Sequence, residues 1–240
     1  AQGVADAGVH LHVVDFDACL MAMYEVAYEF SGLVDYLVFS EETEPGDGDP
    51  YDTILADLAA TPTMSPVTLA TVIVERYLAS YQDDTRQKTT KSAVDMSKVQ
   101  VLHDAVRRLA GAIVADPATA SGVVSYAQTN GLAFSVPENY DLHDFCAKAA
   151  AFAQDGELKT AAQEVMQAVI DAVAAEGYTG GTFGQSKGLA IYSPTRNATS
   201  ENGAVNDFEE YAKLKCNTPK APDTWMAAIN ALVGGTGSQT

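Results

Sequence analysis

The hydrophobic pattern at the start of the chain predicts a strand, a helix and a second strand in close succession. Residues 9–16 (VHLHVVDF) are rich in β-branched residues and predict a partly buried strand, and residues 36–40 (YLVFS) predict another. Between them, residues 20–30 are good helix formers, and Gly32 favours a helix stop. Two strands joined by a helix imply a parallel sheet.

The rest of the chain is patterned mostly as helices. Ser65 and Pro66 are typical of a helix start, and the apolar residues that follow recur at helical spacing, which predicts a helix to about Tyr81. The remaining predicted elements are helices starting at Ser97, at Asp116, near Asp141 and near Glu157, a returning strand at 188–193 and a closing helix at 223–232.

Composition and charge narrow the possible functions. The chain has 240 residues, 47% of them hydrophobic, with 14 basic and 32 acidic side chains and a formal net charge of −18. A surface this acidic repels phosphate backbones and anionic lipid, so neither nucleic-acid nor membrane binding is expected. With 3 cysteines, at least one thiol is unpaired within the chain.

One of these thiols, Cys19, falls where the first predicted strand passes into the first predicted helix. Free N–H groups at a helix start favour a thiolate, and open α/β sheets place ligand sites beyond the carboxyl ends of their strands. This position suits a nucleophile. The position alone also fits a small buried cysteine packed under a helix, which is a common place for cysteine.

Two adjoining segments resemble a known family. Residues 15–22 (DFDACLMA), with residues 25–29 (EVAYE), are similar to the nucleophile segment of the clostripain family of cysteine peptidases, which belong to the caspase-like clan. Residues 40–48 (SEETEPGDG) contain that family's Glu-Pro-Gly-Asp-Gly turn. The resemblance implies a caspase-like α/β sheet flanked by helices, with a mostly helical C-terminal extension.

The resemblance also implies the chemistry. It implies an endopeptidase that cleaves after arginine or lysine, with Cys19 as nucleophile and Asp17 and Asp47 binding the basic side chain. Two carboxylates would offset the desolvation of a guanidinium better than one. It further implies protein or peptide substrates, no organic cofactor, a calcium ion whose ligands cannot be assigned, and a bacterial protein that is secreted or periplasmic.

The chain departs from the family pattern in one respect. The family's catalytic histidine lies upstream of the cysteine in a His-Gly pair, and this sequence has no His-Gly. None of its four histidines fits that role from sequence, and each is expected to be structural or exposed: His10, His12, His103 and His143.

Two interpretations of the departure remain. In the first, this chain is the heavy, C-terminal portion of a cleaved precursor, and an upstream light chain carries the histidine. Residues 1–60 would then be the end of the caspase-like core, residues 61–240 a mostly helical region, and this chain alone would be inactive. In the second, the chain is a catalytically inactive module that binds basic peptides. Whether Cys146 and Cys216 pair is left open.

Overall fold

The computed structural model describes residues 1–84, 87–194 and 208–233. The strands of this part of the chain are β1 (Leu11–Asp15), β2 (Val34–Phe39), β3 (Thr90–Asp95), β4 (Asn139–Asp141), β5 (Val173–Tyr178) and β6 (Ala190–Tyr192). Its α-helices are α1 (Gln2–Asp6), α2 (Tyr24–Glu29), α3 (Tyr51–Ala60), α4 (Pro66–Tyr81), α5 (Val99–Ala115), α6 (Pro117–Asn130), α7 (Leu142–Phe152), α8 (Glu157–Ala172), α9 (Phe208–Tyr211) and α10 (Trp225–Val233).

Four strands form the central sheet in the order β1-β2-β3-β5. The first two are parallel, as the β-α-β pattern predicts, whereas β3 and β5 each run antiparallel to their neighbours. The sheet is therefore mixed, and the expectation of a parallel sheet is correct only for its first pair. A second, small sheet pairs β4 with β6 antiparallel.

Helices cover both faces of the central sheet because successive strand residues point to opposite sides. Leu37 and Phe39 of β2 join a large core built mainly by α5, α7 and α8. Val38, which lies between them in the sequence, packs with α3 and α4 in a smaller core that includes Ile54 and Ile73. This arrangement of helix, sheet and helix confirms the predicted α/β class.

The structure confirms the helix starts that were predicted from capping residues. Ser65 accepts a hydrogen bond from the N–H of Thr68 at 3.3 Å, and α4 ends at Tyr81. Asp116 caps α6 and Asp141 caps α7 in the same way. A side-chain oxygen at these positions satisfies an N–H that the first helical turn leaves free.

Other predictions need correction. The helix expected over residues 20–30 covers only Tyr24–Glu29, so a turn separates it from the first strand. The pattern missed β3 because Thr90, Lys91 and Ser92 are polar although buried. It missed β5 because Val173 continues the apolar stripe of α8, and the structure ends that helix at Ala172.

The sheet extends past residue 60, since β3 and β5 both lie in the region expected to be mostly helical. The returning strand and the closing helix are present as β6 and α10. Among the described helices, none has the length and apolar character needed to cross a membrane.

Candidate active site

Two neighbouring loops follow the carboxyl ends of the parallel strands. We name residues 16–22, after β1, the cysteine loop, and residues 40–50, after β2, the acidic loop. The N–H of Leu20 donates to the Glu42 carbonyl at 3.2 Å, and that of Ala22 donates to the Ser40 carbonyl at 2.9 Å. These bonds hold the loops side by side, at the sheet edge where α/β folds place ligands.

Cys19 lies exposed in the cysteine loop. Its sulfur contacts one peptide unit of the acidic loop: the Glu44 N–H donates to Sγ at 3.3 Å, and the thiol donates to the Glu44 carbonyl at 3.8 Å. The next residue, Leu20, has a φ of 62°. This left-handed residue turns the chain sharply after the cysteine.

The reasons given for Cys19 from sequence therefore change. The thiol does not face the start of a helix, because α2 begins only at Tyr24, and its N–H partner comes from Glu44 instead. The two-residue strand period does not orient Asp17 and Cys19, because β1 ends at Asp15. The structure nevertheless exposes both side chains on the same short loop.

Asp17 packs against the glycine turn of the acidic loop. A Cβ on Gly48 would lie 2.7 Å from both Asp17 carboxylate oxygens, and Gly48 has a φ of 64°. Only glycine suits this position, since a side chain would collide with the carboxylate and strain the backbone. Tyr51 donates its hydroxyl to Asp17 Oδ2 at 2.8 Å, and this bond is the main reason that the pKa of Tyr51 rises to about 12.

Asp47 immediately precedes this glycine and is exposed. The Tyr81 hydroxyl donates to the Gly48 carbonyl at 2.7 Å and so supports the turn from α4. Burial raises the pKa of Tyr81, and the charges of Asp47 and Asp17 raise it further. The structure thus brings the turn that carries Asp47 against Asp17.

Sequence reasoning missed Lys91, a fully buried lysine of β3 beneath both loops. Its ammonium lies 3.3 Å from Asp15, 3.0 Å from Glu44 and 3.1 Å from Asp49. It also donates to the Phe16 carbonyl at 3.3 Å. In the sequence, Lys91 appears only as a lysine within a short run of strand-forming residues. Such a lysine by itself indicates an exposed edge strand.

Burial and charge shift the titration of this cluster. Burial raises the pKa of Asp15 and of Glu44 to about 7, although Lys91 opposes the change. Burial also works to lower the pKa of Lys91, but Asp15, Glu44 and Asp49 outweigh it and raise that pKa. Asp17 and Asp47 add two exposed carboxyl groups on the same two loops, and these two attract cations.

A second buried group of carboxylates holds the acidic loop from the other side. Glu41 accepts from the Gly188 N–H at 3.1 Å, and Glu42 accepts from the Ser135 N–H at 3.0 Å. Asp141 accepts from the N–H groups of Asp144 and Lys187 at 2.6 and 2.5 Å. Burial raises the pKa of Glu41, and it raises that of Asp141 to about 6.

The four histidines do not contact Cys19. His10 and His12 both bind the Asp35 carboxylate, at 2.8 and 2.6 Å. His103 is buried against the Tyr24 hydroxyl at 2.6 Å, and burial lowers its pKa. His143 lies in the first turn of α7, as expected, and burial lowers its pKa as well.

Cys146 and Cys216 are both buried free thiols, so the structure contains no disulfide between them. In the described ranges, no three His, Cys, Asp or Glu side chains are arranged to hold a metal ion. The densest carboxylate group surrounds Lys91, whose own charge disfavours a metal cation there.

Comparison with known proteins identifies the family. A sequence model of the clostripain family matches residues 3–226. The chain belongs to the clostripain family. Its residues 15–22 and 40–48, which carried the resemblance, lie within the matched range. A search of curated proteins finds no match.

Solved structures share the fold of this family member. An inactive zymogen C11 protease from Parabacteroides distasonis has 20% identity and a TM-score of 0.63, covering 87% of this chain and 58% of that one. A Bacteroides thetaiotaomicron clostripain in complex with a peptide inhibitor has 16% identity and a TM-score of 0.65, covering 95% and 91%. A secreted C11 cysteine protease from the same organism, in complex with an irreversible peptide inhibitor, has 17% identity and a TM-score of 0.61, covering 87% and 58%.

Lengths differ among these relatives. This chain spans 58% of the zymogen and of the secreted protease, but 91% of the clostripain bound to the inhibitor. The likeness confirms the caspase-like α/β fold expected from the sequence.

Proposed function

We propose that this clostripain-family chain is the nucleophile-bearing part of a cysteine endopeptidase that cleaves after arginine or lysine. The observation that carries the proposal is the exposed Cys19 thiol on a loop beside Asp17 and the turn of Asp47. Cys19 is the nucleophile, and the two aspartates bind the basic side chain of the substrate.

Charge supports the proposed specificity. Asp15, Glu44 and Asp49 are bound by Lys91, whereas Asp17 and Asp47 are exposed and lack a cationic partner among the described residues. A substrate guanidinium or ammonium would supply the missing positive charge. In the B. thetaiotaomicron complex, the inhibitor is BTN-VLTK-AOMK, in which lysine is the last residue of the peptide.

An upstream light chain would supply the histidine. β1 lies at the edge of the described sheet, so its outer backbone groups are available to pair with another strand. A histidine at the end of such a strand would lie at the carboxyl edge with Cys19. The zymogen relative, of which this chain spans 58%, is long enough to contain a further segment.

The reaction follows from these positions. The Cys19 thiolate attacks the carbonyl carbon of the peptide, a C–S bond forms, and the oxygen becomes an oxyanion. The Cys19 N–H, which has no hydrogen-bond partner within the described residues, is a candidate oxyanion donor. When the oxyanion collapses, the C–N bond breaks and the light-chain imidazolium protonates the departing amine. Water then attacks the thioester, the C–S bond breaks, and the carboxylic acid product and the Cys19 thiol are released.

Reconstitution tests the proposal. This chain, expressed together with the upstream segment of its precursor, should hydrolyse peptides after arginine or lysine, and Cys19→Ala should abolish that activity. Cys216→Ala is a control, because this thiol is buried whereas that of Cys19 is exposed. Hydrolysis that survives Cys19→Ala would refute the proposal.

An inactive module that binds basic peptides is the second candidate. It is favoured by the lack of any contact between Cys19 and the four histidines. Under this alternative, the reconstituted protein binds an arginine peptide, measured by calorimetry, and does not cleave it. Cleavage in the same sample would eliminate the alternative.

Location and metal dependence belong to the same proposal. We infer a secreted or periplasmic bacterial protein, in keeping with a relative described as secreted. A calcium requirement stays a prediction for the whole protein, with no group of three His, Cys, Asp or Glu side chains among the described residues to assign as its ligands. Loss of activity on adding a calcium chelator, restored by calcium, would support it.

A further inference from the structure

We propose that Lys91 is a positioning residue for Cys19. Its ammonium ties together the two loops that meet at the thiol and, through its ion pair with Glu44, fixes the Glu44 peptide unit against the sulfur. The inference rests on the proposed function, because it assigns a residue that sets the reactivity of the same nucleophile.

The ammonium reaches both loops at once. It donates to the Phe16 carbonyl in the cysteine loop at 3.3 Å, and to Glu44 Oε1 and Asp49 Oδ2 in the acidic loop at 3.0 and 3.1 Å. A lysine has three N–H donors, so these acceptors use all of them. Lys91 comes from β3, a third element, and therefore fixes the position of one loop relative to the other.

Glu44 connects this ion cluster to the thiol. Its side chain is bound by Lys91, while its backbone N–H and carbonyl are the groups that contact Cys19 Sγ. When the thiol ionises, its bond to the carbonyl is lost and the N–H donates to the thiolate. Stabilisation of the thiolate therefore depends on where the Glu44 side chain holds this peptide unit.

The charges around the site allow positioning to be separated from simple electrostatics. The titratable groups that face Lys91 or Glu44 are Asp15 and Asp17 from β1 and its loop, Asp49 from the acidic loop, and Tyr77 and Tyr81 from α4. Electrostatics alone predicts that removing the Glu44 carboxylate favours the thiolate. Positioning predicts the opposite, because the peptide unit loses its attachment.

A pair of substitutions at Glu44 provides the test. Glutamine keeps an oxygen that accepts from Lys91 and removes the charge, whereas alanine removes both. The measurement is the pH profile of iodoacetamide alkylation at Cys19; Cys146 and Cys216 are buried, and Cys19→Ala gives the background rate. We expect Glu44→Ala to slow alkylation at pH 7 about tenfold and to move the profile to higher pH, with Glu44→Gln within about twofold of the unchanged protein.

Substitution of Lys91 is the second part of the alkylation test. Lys91→Met should slow alkylation in the same direction, and Lys159→Met, which removes only an ion pair to Asp155, should not. If Lys91→Met does not fold, the Glu44 pair decides the question. Alkylation of Glu44→Ala at the original rate or faster would overturn the positioning role.

The proposed function and the positioning role of Lys91 can be refuted independently of each other. Alkylation needs neither a light chain nor a substrate. A protein that shows the expected alkylation pattern but cleaves no peptide would refute the proposed function and leave the role of Lys91 intact. In an active reconstituted enzyme, Glu44→Ala should lower kcat and leave KM nearly unchanged, because Glu44 contacts the nucleophile and not the side-chain pocket.

Discussion

The acidic loop is held on its two sides by buried carboxylates that are stabilised in different ways. On one side, Lys91 supplies a full positive charge to Asp15, Glu44 and Asp49. On the other side, Glu41 and Asp141 accept hydrogen bonds from backbone N–H groups, with raised pKa values. An ammonium can be removed by one substitution, whereas backbone N–H groups cannot, so the two sides should respond differently to mutation and to pH.

The largest expected effect is the loss of the ammonium. Lys91→Met leaves the buried carboxyl groups of Glu44 and Asp49, and the partly buried one of Asp15, without their cation and should lower the free energy of unfolding by about 3–5 kcal/mol. Urea denaturation measures the change. The matched control Lys159→Met breaks a partly exposed ion pair with Asp155 and should cost less than about 1 kcal/mol. Equal losses in the two variants would contradict the importance of this cluster.

Removal of the Asp141 carboxylate, on the other side of the acidic loop, should lower the free energy of unfolding less than Lys91→Met does. Asp141→Ala deprives the N–H groups of Asp144 and Lys187 of their partner, and we expect a loss of about 2–3 kcal/mol. Asp116→Ala removes the exposed cap of α6 and should cost about 1 kcal/mol. If the two variants are equally stable in urea, the burial of Asp141 contributes nothing.

The contribution of these buried carboxyl groups to folding stability should decrease as the pH rises. Burial raises the pKa of Asp15 and Glu44 to about 7 and of Asp141 to about 6. The folded chain therefore keeps these protons to higher pH than the unfolded chain, whose carboxyl pKa values are about 4. The stabilisation is complete below about pH 4 and is lost as the pH rises to about 7.

Thermal unfolding at pH 5 and pH 7.5 checks this sign. We expect a higher Tm at pH 5 than at pH 7.5. Asp141→Asn should reduce the difference, because this variant cannot carry the titrating proton, and Asp116→Asn should not. A higher Tm at pH 7.5 would show that these groups are ionised in the folded chain.

The smallest expected effect concerns Asp17, the exposed carboxylate of the cysteine loop. Tyr51→Phe removes the hydroxyl that binds Asp17 Oδ2 at 2.8 Å. In the reconstituted enzyme, we expect KM for an arginine peptide to rise about three- to tenfold with kcat little changed. Tyr178→Phe, at an exposed tyrosine of β5, is the control. An unchanged KM would mean that Asp17 needs no such support.

Some of the site could be predicted from the sequence, for local reasons. Cys19, Asp17 and Asp47 lie in two short motifs, and parallel strands place the loops that carry them at one edge. The cysteine's environment could not be predicted, because the left-handed turn at Leu20 moves it away from the helix and toward Glu44.

By itself, the sequence determined the helix starts at Ser65, Asp116 and Asp141, the first parallel strand pair and the family motifs, because capping bonds and strand periodicity act between residues close in the chain. Only the tertiary structure decided the place of Lys91. Its partners lie 42 to 76 residues away along the chain, and a buried charge is stable only where folding brings opposite charges to it.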